Sequence, residues 1–194
     1  TFSTYETGHR TAYSTCSFPR SPHASSSSMA PESKDNLLLK KTLTYANGYR
    51  ELGMFKHALE ELSQLTEALA NRIETLQMRL AILIDAKDWA PATCTAQELV
   101  IREPSDPGHL VNLAFATRRS QTMDEAQAIL TDAAKRFPKV AIVQYNLGCY
   151  ACQKQAFESA KVFLAKAFSI DPTFLDTAKS DEDLRSLIDW LKSL

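Results

Sequence analysis

The sequence predicts an all-α chain built from tandem pairs of helices, and three observations carry that prediction. Apolar residues recur at helical spacing from Leu37 almost to the end, with only 5 glycines among 194 residues and almost no strand-like alternation. A set of residue columns repeats every 34 residues without insertion. Proline closes three of the four resulting units, where a helix has to stop.

The columns align on Ala58, Ala92, Ala126 and Ala160. Three residues before each stands a large apolar side chain, namely Phe55, Trp89, Met123 and Phe157. Twelve before come Ala46, Leu80, Ala114 and Gly148, and four after come Leu62, Ala96, Leu130 and Leu164. Seven after are Leu65, Leu99, Ala133 and Ala167, and twelve after are Ala70, Pro104, Pro138 and Pro172. Two helices joined by a short turn approach closely only where their side chains are small, so the alanine column belongs on each second helix and faces Ala46, Ala114 or Gly148 on the first. The large residue ahead of each alanine is expected to fill the corner. One such pair cannot cover its own apolar stripe, so neighbouring units have to stack.

This pattern resembles the tetratricopeptide repeat family, with units at 39–72, 73–106, 107–140 and 141–174. The fourth is the nearest match, with Leu147-Gly148, Phe157, Ala160, Ala167 and Asp171-Pro172 in the family's positions. The family's frequent tryptophan early in the first helix is replaced by Thr42, Leu76, Leu110 and Gln144, and Arg79 stands where the other units have Tyr45, Leu113 and Leu147. The resemblance implies a right-handed superhelical solenoid of antiparallel helix pairs.

Outside the units the pattern changes. Residues 1–34 are Ser/Thr-rich, with Ser25-Ser26-Ser27-Ser28, Pro19 and Pro22 and no apolar period, so a disordered leader is expected ahead of a domain at 35–194. Its acidic-poor character also suits a transit peptide, and Met29 is the natural start on the simpler reading. Past Phe174 the register breaks; Ser180-Asp181-Glu182-Asp183 reads as a helix start, and Leu184, Leu187, Ile188 and Leu191 give one apolar face to a capping helix at about 181–193. The stretch from Leu175 to Trp190 resembles the ending of many bacterial members of the family.

Composition narrows the function. A formal net charge of −1 offers no basic footprint for nucleic acid. No apolar run nears the roughly 18 residues that suggest a membrane span. Four cysteines, at 16, 94, 149 and 152, lack the density of a secreted disulfide scaffold, and a cytoplasmic, reducing setting is expected. Cys149 and Cys152 form a C-x-x-C, but a structural zinc site needs four ligands and a redox pair wants a thioredoxin-like context, so packing is the simpler role. His9, His23, His57 and His109 form no metal-binding motif, and there is no nucleophile elbow or phosphate loop. No enzyme, metal or cofactor is expected.

What the resemblance implies instead is peptide binding. In the family the first helices line a concave groove, which here presents Lys40, Asn47 and Arg50, then Gln77, Met78 and Ile84. The third unit adds Val111, Asn112, Phe115, Arg118 and Arg119, and the fourth Tyr145, Asn146 and Cys149. Asn112 and Asn146 share one repeat position, and an exposed amide there would grip a peptide group through its paired donor and acceptor. The groove residues expected to bind are therefore Asn47, Arg50, Asn112, Phe115, Arg118, Arg119, Tyr145 and Asn146. The chaperone-tail clamp of some members is not matched, because Leu43, Met78, Gly108 and Asn112 stand at its other positions beside Asn47. The expected role is a scaffold or adaptor for a protein partner, with self-assembly through Leu37, Leu38 and Leu39, or a small client-shielding chaperone, as the alternatives.

Overall fold

The computed structural model describes residues 34–194, and the leader, Cys16, His9 and His23 lie outside the described residues. The chain divides into two compact units at residue 103, and each is described by itself.

In residues 34–103, α1 (Lys34–Glu51) pairs with α2 (Phe55–Ser63), and after the single turn α3 (Glu67–Ala70), α4 (Ile73–Asp85) pairs with α5 (Trp89–Arg102). The core joins Leu39, Leu43 and Ala46 of α1 to Ala58 and Leu62 of α2, and Met78 and Ile82 of α4 pack into the same cluster. In residues 104–194, α6 (Pro107–Ser120) pairs with α7 (Met123–Arg136), and α8 (Ala141–Gln153) with α9 (Phe157–Ile170). The C-terminal segment follows as α10 (Thr173–Ser180), a 3₁₀ helix (Glu182–Leu187) and α11 (Ile188–Lys192). The expected single capping helix is thus a tight 3₁₀ stretch with a short α-helix, preceded by a helix of its own. Among the described residues no helix is long and apolar enough to cross a membrane.

The helix boundaries follow the columns. Second helices open on the large apolar residue in every unit, at Phe55, Trp89, Met123 and Phe157, and the later three end two residues before proline. The first unit has Ala70 in place of that proline, and its second helix stops early, at Ser63. There the Ser63 hydroxyl donates to the Glu60 carbonyl, a local bond that competes with continuing the helix.

The alanine column is fully buried in all four units, as are Leu62, Ala96, Leu130 and Leu164 one turn later. Gly148 shows why small residues are needed. A Cβ there would lie 2.6 Å from Leu164 Cγ and 3.3 Å from the Ala160 carbonyl oxygen, so α8 and α9 have closed to a distance only glycine permits. The large residues ahead of the alanines do less than expected: Phe55, Trp89 and Met123 are half-buried and Phe157 is exposed, because each lies at the first turn of its helix, at the edge of the pair.

The turns inside the units repeat as well. Gly53, Lys87 and Gln155 occupy one repeat position, and all three have left-handed backbones, with φ of 72°, 59° and 61°. Each closes its first helix with the same two bonds. The Met54, Asp88 and Ala156 amides reach back to Tyr49, Leu83 and Ala151, while Gly53, Lys87 and Gln155 bond to Arg50, Ile84 and Cys152. The third unit departs: Gln121 has φ −134°, and Thr122 with Glu125 instead builds a reciprocal N-terminal cap on α7.

Two stability predictions follow from this geometry. Ala126→Leu should cost about 1–3 kcal/mol by overpacking, while Ala128→Leu, on the exposed side of α7, should stay within about 0.5 kcal/mol of the wild type. Urea unfolding compares them, and equal losses would contradict the register. By the same assay Gln155→Gly should stabilise by about 1 kcal/mol, because it relieves a left-handed side-chain-bearing residue.

Candidate peptide-binding face

On α1 the Arg50 guanidinium is committed within its own unit. It donates to Asn47 Oδ1 from Nε and Nη2 at 3.1 and 3.0 Å, and from Nη1 to Asp85 Oδ2 of α4 at 2.9 Å. Asn47 Nδ2 in turn donates to Glu51 at 2.8 Å. The network is half-exposed, so it holds the side chains in place without much net stabilisation.

The two asparagines require a correction. Asn112 and Asn146 are only 8% and 2% exposed, not open amides along a groove. Asn146 uses its Nδ2 on the Ile142 carbonyl of the previous turn, 2.8 Å away. Tyr145, Phe115 and Cys149 are buried too. The asparagine position faces packed structure, which a shared repeat position could not reveal.

The chain's own C-terminal segment also packs against α8. Arg118 of α6 grips Asp183 with two bonds, Nη1 to Oδ2 at 2.6 Å and Nη2 to Oδ1 at 3.1 Å. The pair is nearly dry, with side chains 10% and 1% exposed. Arg118 also lies 5.1 Å from the centre of the Tyr150 ring. Asp181 caps the 3₁₀ helix through the Asp183 amide at 2.9 Å, and its other oxygen accepts from the Tyr145 hydroxyl at 2.7 Å. Cys149 Sγ lies 3.7 Å from that same oxygen. Gln153 donates to the Asp183 main-chain carbonyl at 2.9 Å. Leu184, Leu187 and Leu191 bury the apolar side of the segment, while Phe174 lies against Tyr145, ring centres 5.0 Å apart. Arg119 turns elsewhere, over the Phe115 ring at 3.6 Å, with Nη1 on the Phe115 carbonyl.

So α6 and α8 hold a length of polypeptide by its carboxylates and by one main-chain carbonyl. Of the expected residues, Arg118 and Tyr145 meet there. Phe115 and Arg119 form a separate stacked pair, and Asn47 and Arg50 lie in the other compact unit. Sequence reasoning missed Gln153 and the roles of Asp181 and Asp183, which looked like ordinary helix-starting acids. Arg118 and Asp183 are 65 positions apart, and no repeat column connects them.

The burial has a titration consequence. Burial, then the neighbouring Asp181 and Asp183 carboxylates, pushes the Cys149 thiol well up against a smaller opposing pull from Arg118. Burial also raises the Tyr145 hydroxyl far above its ordinary value, with Cys149 and Asp181 adding to it. Tyr150 is pushed up to about 12, where burial outweighs Arg118 and Arg119. Burial raises the Cys152 thiol in the same direction. A reactive or metal-binding cysteine needs the opposite shift, toward the thiolate.

All four groups bind their protons more tightly in the folded state. Their contribution to stability is complete below the unfolded values, about 8.5 for cysteine and about 10 for tyrosine, and falls as pH rises past them. Urea midpoints should therefore hold from pH 7 to about 8 and drop steadily toward pH 10.5. A midpoint unchanged at pH 10.5 would contradict the burial of these groups.

No protein-family model and no curated protein match the chain. Solved structures do. One crystal structure of MamA is 19% identical over 80% of this chain and 87% of its own, with a TM-score of 0.62. MamA 41-end from Desulfovibrio magneticus RS-1 is 15% identical over 72% of this chain and 78% of its own, with a TM-score of 0.61. YrrB, described as a TPR protein with an unusual peptide-binding site, is 10% identical over 83% of this chain and 92% of its own, with a TM-score of 0.57. Identities this low speak for the fold, and with the repeated helix pairs they establish that the chain has the tetratricopeptide-repeat fold.

Proposed function

We propose that the chain is a protein-interaction scaffold that receives a segment of a partner protein on its first helices. One observation carries this reading: α6 and α8 hold a polypeptide segment through side chains that bind its carboxylates and one of its carbonyls. The fold likeness to YrrB, a TPR protein with a peptide-binding site, is consistent with it. In residues 34–103 the part-exposed groups are Asn47 and Arg50 on α1, and in residues 104–194 Arg119 is part-exposed over the buried Phe115 ring. Each guanidinium, in its own unit, favours an acidic partner segment, since hydrogen bonds to charged groups outweigh neutral ones. Binding, rather than chemistry, is the proposed role.

A second reading, self-association, has its own observation. Leu37 and Leu38 are 59% and 44% exposed on α1, with Tyr45 also exposed, although Leu39 is buried. A second copy packed there would cover them.

One experiment addresses both. The full chain carrying one tag is used to capture partners, including a copy of itself carrying another tag. Arg50→Glu with Arg119→Glu should keep the helical circular dichroism and weaken capture of a foreign partner at least about tenfold, with the loss shrinking at high salt. Unchanged capture by that variant would place the site elsewhere. Recovery of the second copy by the wild type, abolished by Leu37→Asp with Leu38→Asp, would favour self-association.

A further inference from the structure

We propose that the pocket formed by Arg118, Tyr145 and Gln153 is a recognition site for an Asp-x-Asp-Leu segment, filled in the free protein by the chain's own Asp181–Leu184 and open to a partner segment of the same chemistry. The inference deepens the scaffold reading and rests on it.

The contacts that Arg118, Tyr145 and Gln153 make with the tail address features that another chain can supply. Arg118 and Tyr145 bind two carboxylates spaced two residues apart, and Gln153 binds the carbonyl of the second. The carboxylate of the first aspartate caps the amide of the second, which sets the tight turn that presents both. Leu184 then enters the core completely, followed by Leu187 and Leu191. The ligand is thereby specified: an acidic turn followed by a helix with leucines on one face. A basic or neutral segment would forfeit the paired Arg118–carboxylate bonds in a nearly dry site, so the site discriminates by charge as well as by shape.

The physical chemistry also favours exchange over permanent closure. The attraction within a buried ion pair is largely offset by desolvation of both charges, so the charged contacts select the occupant more than they secure it. The occupant is instead retained by attachment, because a tethered segment stays at an effective concentration on the order of millimolar. A partner segment that repeats the motif and adds a contact on Arg119 of α6 would compete with the tail.

The test uses the full chain and a fluorescein-labelled peptide copying residues 180–191. The wild type should bind it weakly. The triple variant Asp181→Asn, Asp183→Asn, Leu184→Ala loosens the tail and should bind it at least about tenfold more tightly. A peptide with both aspartates changed to asparagine should lose at least about tenfold on that variant, and adding Arg118→Gln should shrink the preference between the two peptides. No binding to the triple variant, or equal binding of both peptides, would overturn the proposal. Hydrogen exchange on the wild type covers the case in which the variant does not fold. The Asp183 and Leu184 amides should exchange through a local opening, markedly faster than those of Gly148 and Cys149 in α8. Equal protection would mean that the segment leaves only on global unfolding, which overturns the proposal as well. A failure here leaves the capture result on Arg50 and Arg119 intact, so the two readings are separable.

Discussion

Two helices joined by a turn of a few residues can cover each other's apolar stripes only as far as their thickest facing side chains allow, and in this chain that limit is set at Gly148 and the alanine column. With hydrogen alone at Gly148, the Leu164 side chain and the Ala160 carbonyl come close enough that no Cβ fits between the helices. Small residues stand at the same place in the first and third units, where Ala46 and Ala114, like the alanine column, are fully buried. Other features are consequences of that approach. Leucines one turn along are driven into full burial, at roughly 1.5–3 kcal/mol each, because the closed helices leave no route for water. The turn is confined to a few residues, and three of the four units meet that confinement with a left-handed residue and the same pair of closing bonds.

The third unit shows the alternative. Its turn avoids the left-handed conformation, and the Thr122–Glu125 cap satisfies the amides at the start of α7 instead. Lys87 and Gln155 keep the strained form without the glycine that Gly53 provides, so the backbone geometry is imposed by helix packing rather than chosen by the local residue.

The C-terminal segment is where packing and proposed function meet. A helical array ends on an apolar flank, and α10, the 3₁₀ helix and α11 cover it with Leu184, Leu187 and Leu191. Covering that flank does not require two carboxylates. Asp181 and Asp183 bring charge into a nearly dry site where Arg118 and Tyr145 receive it, an arrangement that adds selectivity more than stability. Cys149 and Cys152, whose C-x-x-C spacing was expected to serve packing, are raised toward the neutral thiol by the same burial and by the same acids.

What the sequence determined by itself is whatever repeats. The 34-residue spacing located the paired helices, the opening residue of every second helix and the fully buried columns, because each unit solves the same local packing problem with the same residue types. Where a column lapses, as at Ala70, the helix pattern lapses with it. What only the tertiary structure decided is whatever occurs once. The engagement of Arg50 by Asp85 and the seating of Asp181 and Asp183 on Arg118 and Tyr145 depend on contacts between distant positions, and the burial of Asn112 and Asn146 is seen only in the folded chain. A periodic pattern reports which side of a helix a residue occupies. It does not report what covers that side, because the covering segment stands outside the repeat and is brought there by the chain's own return.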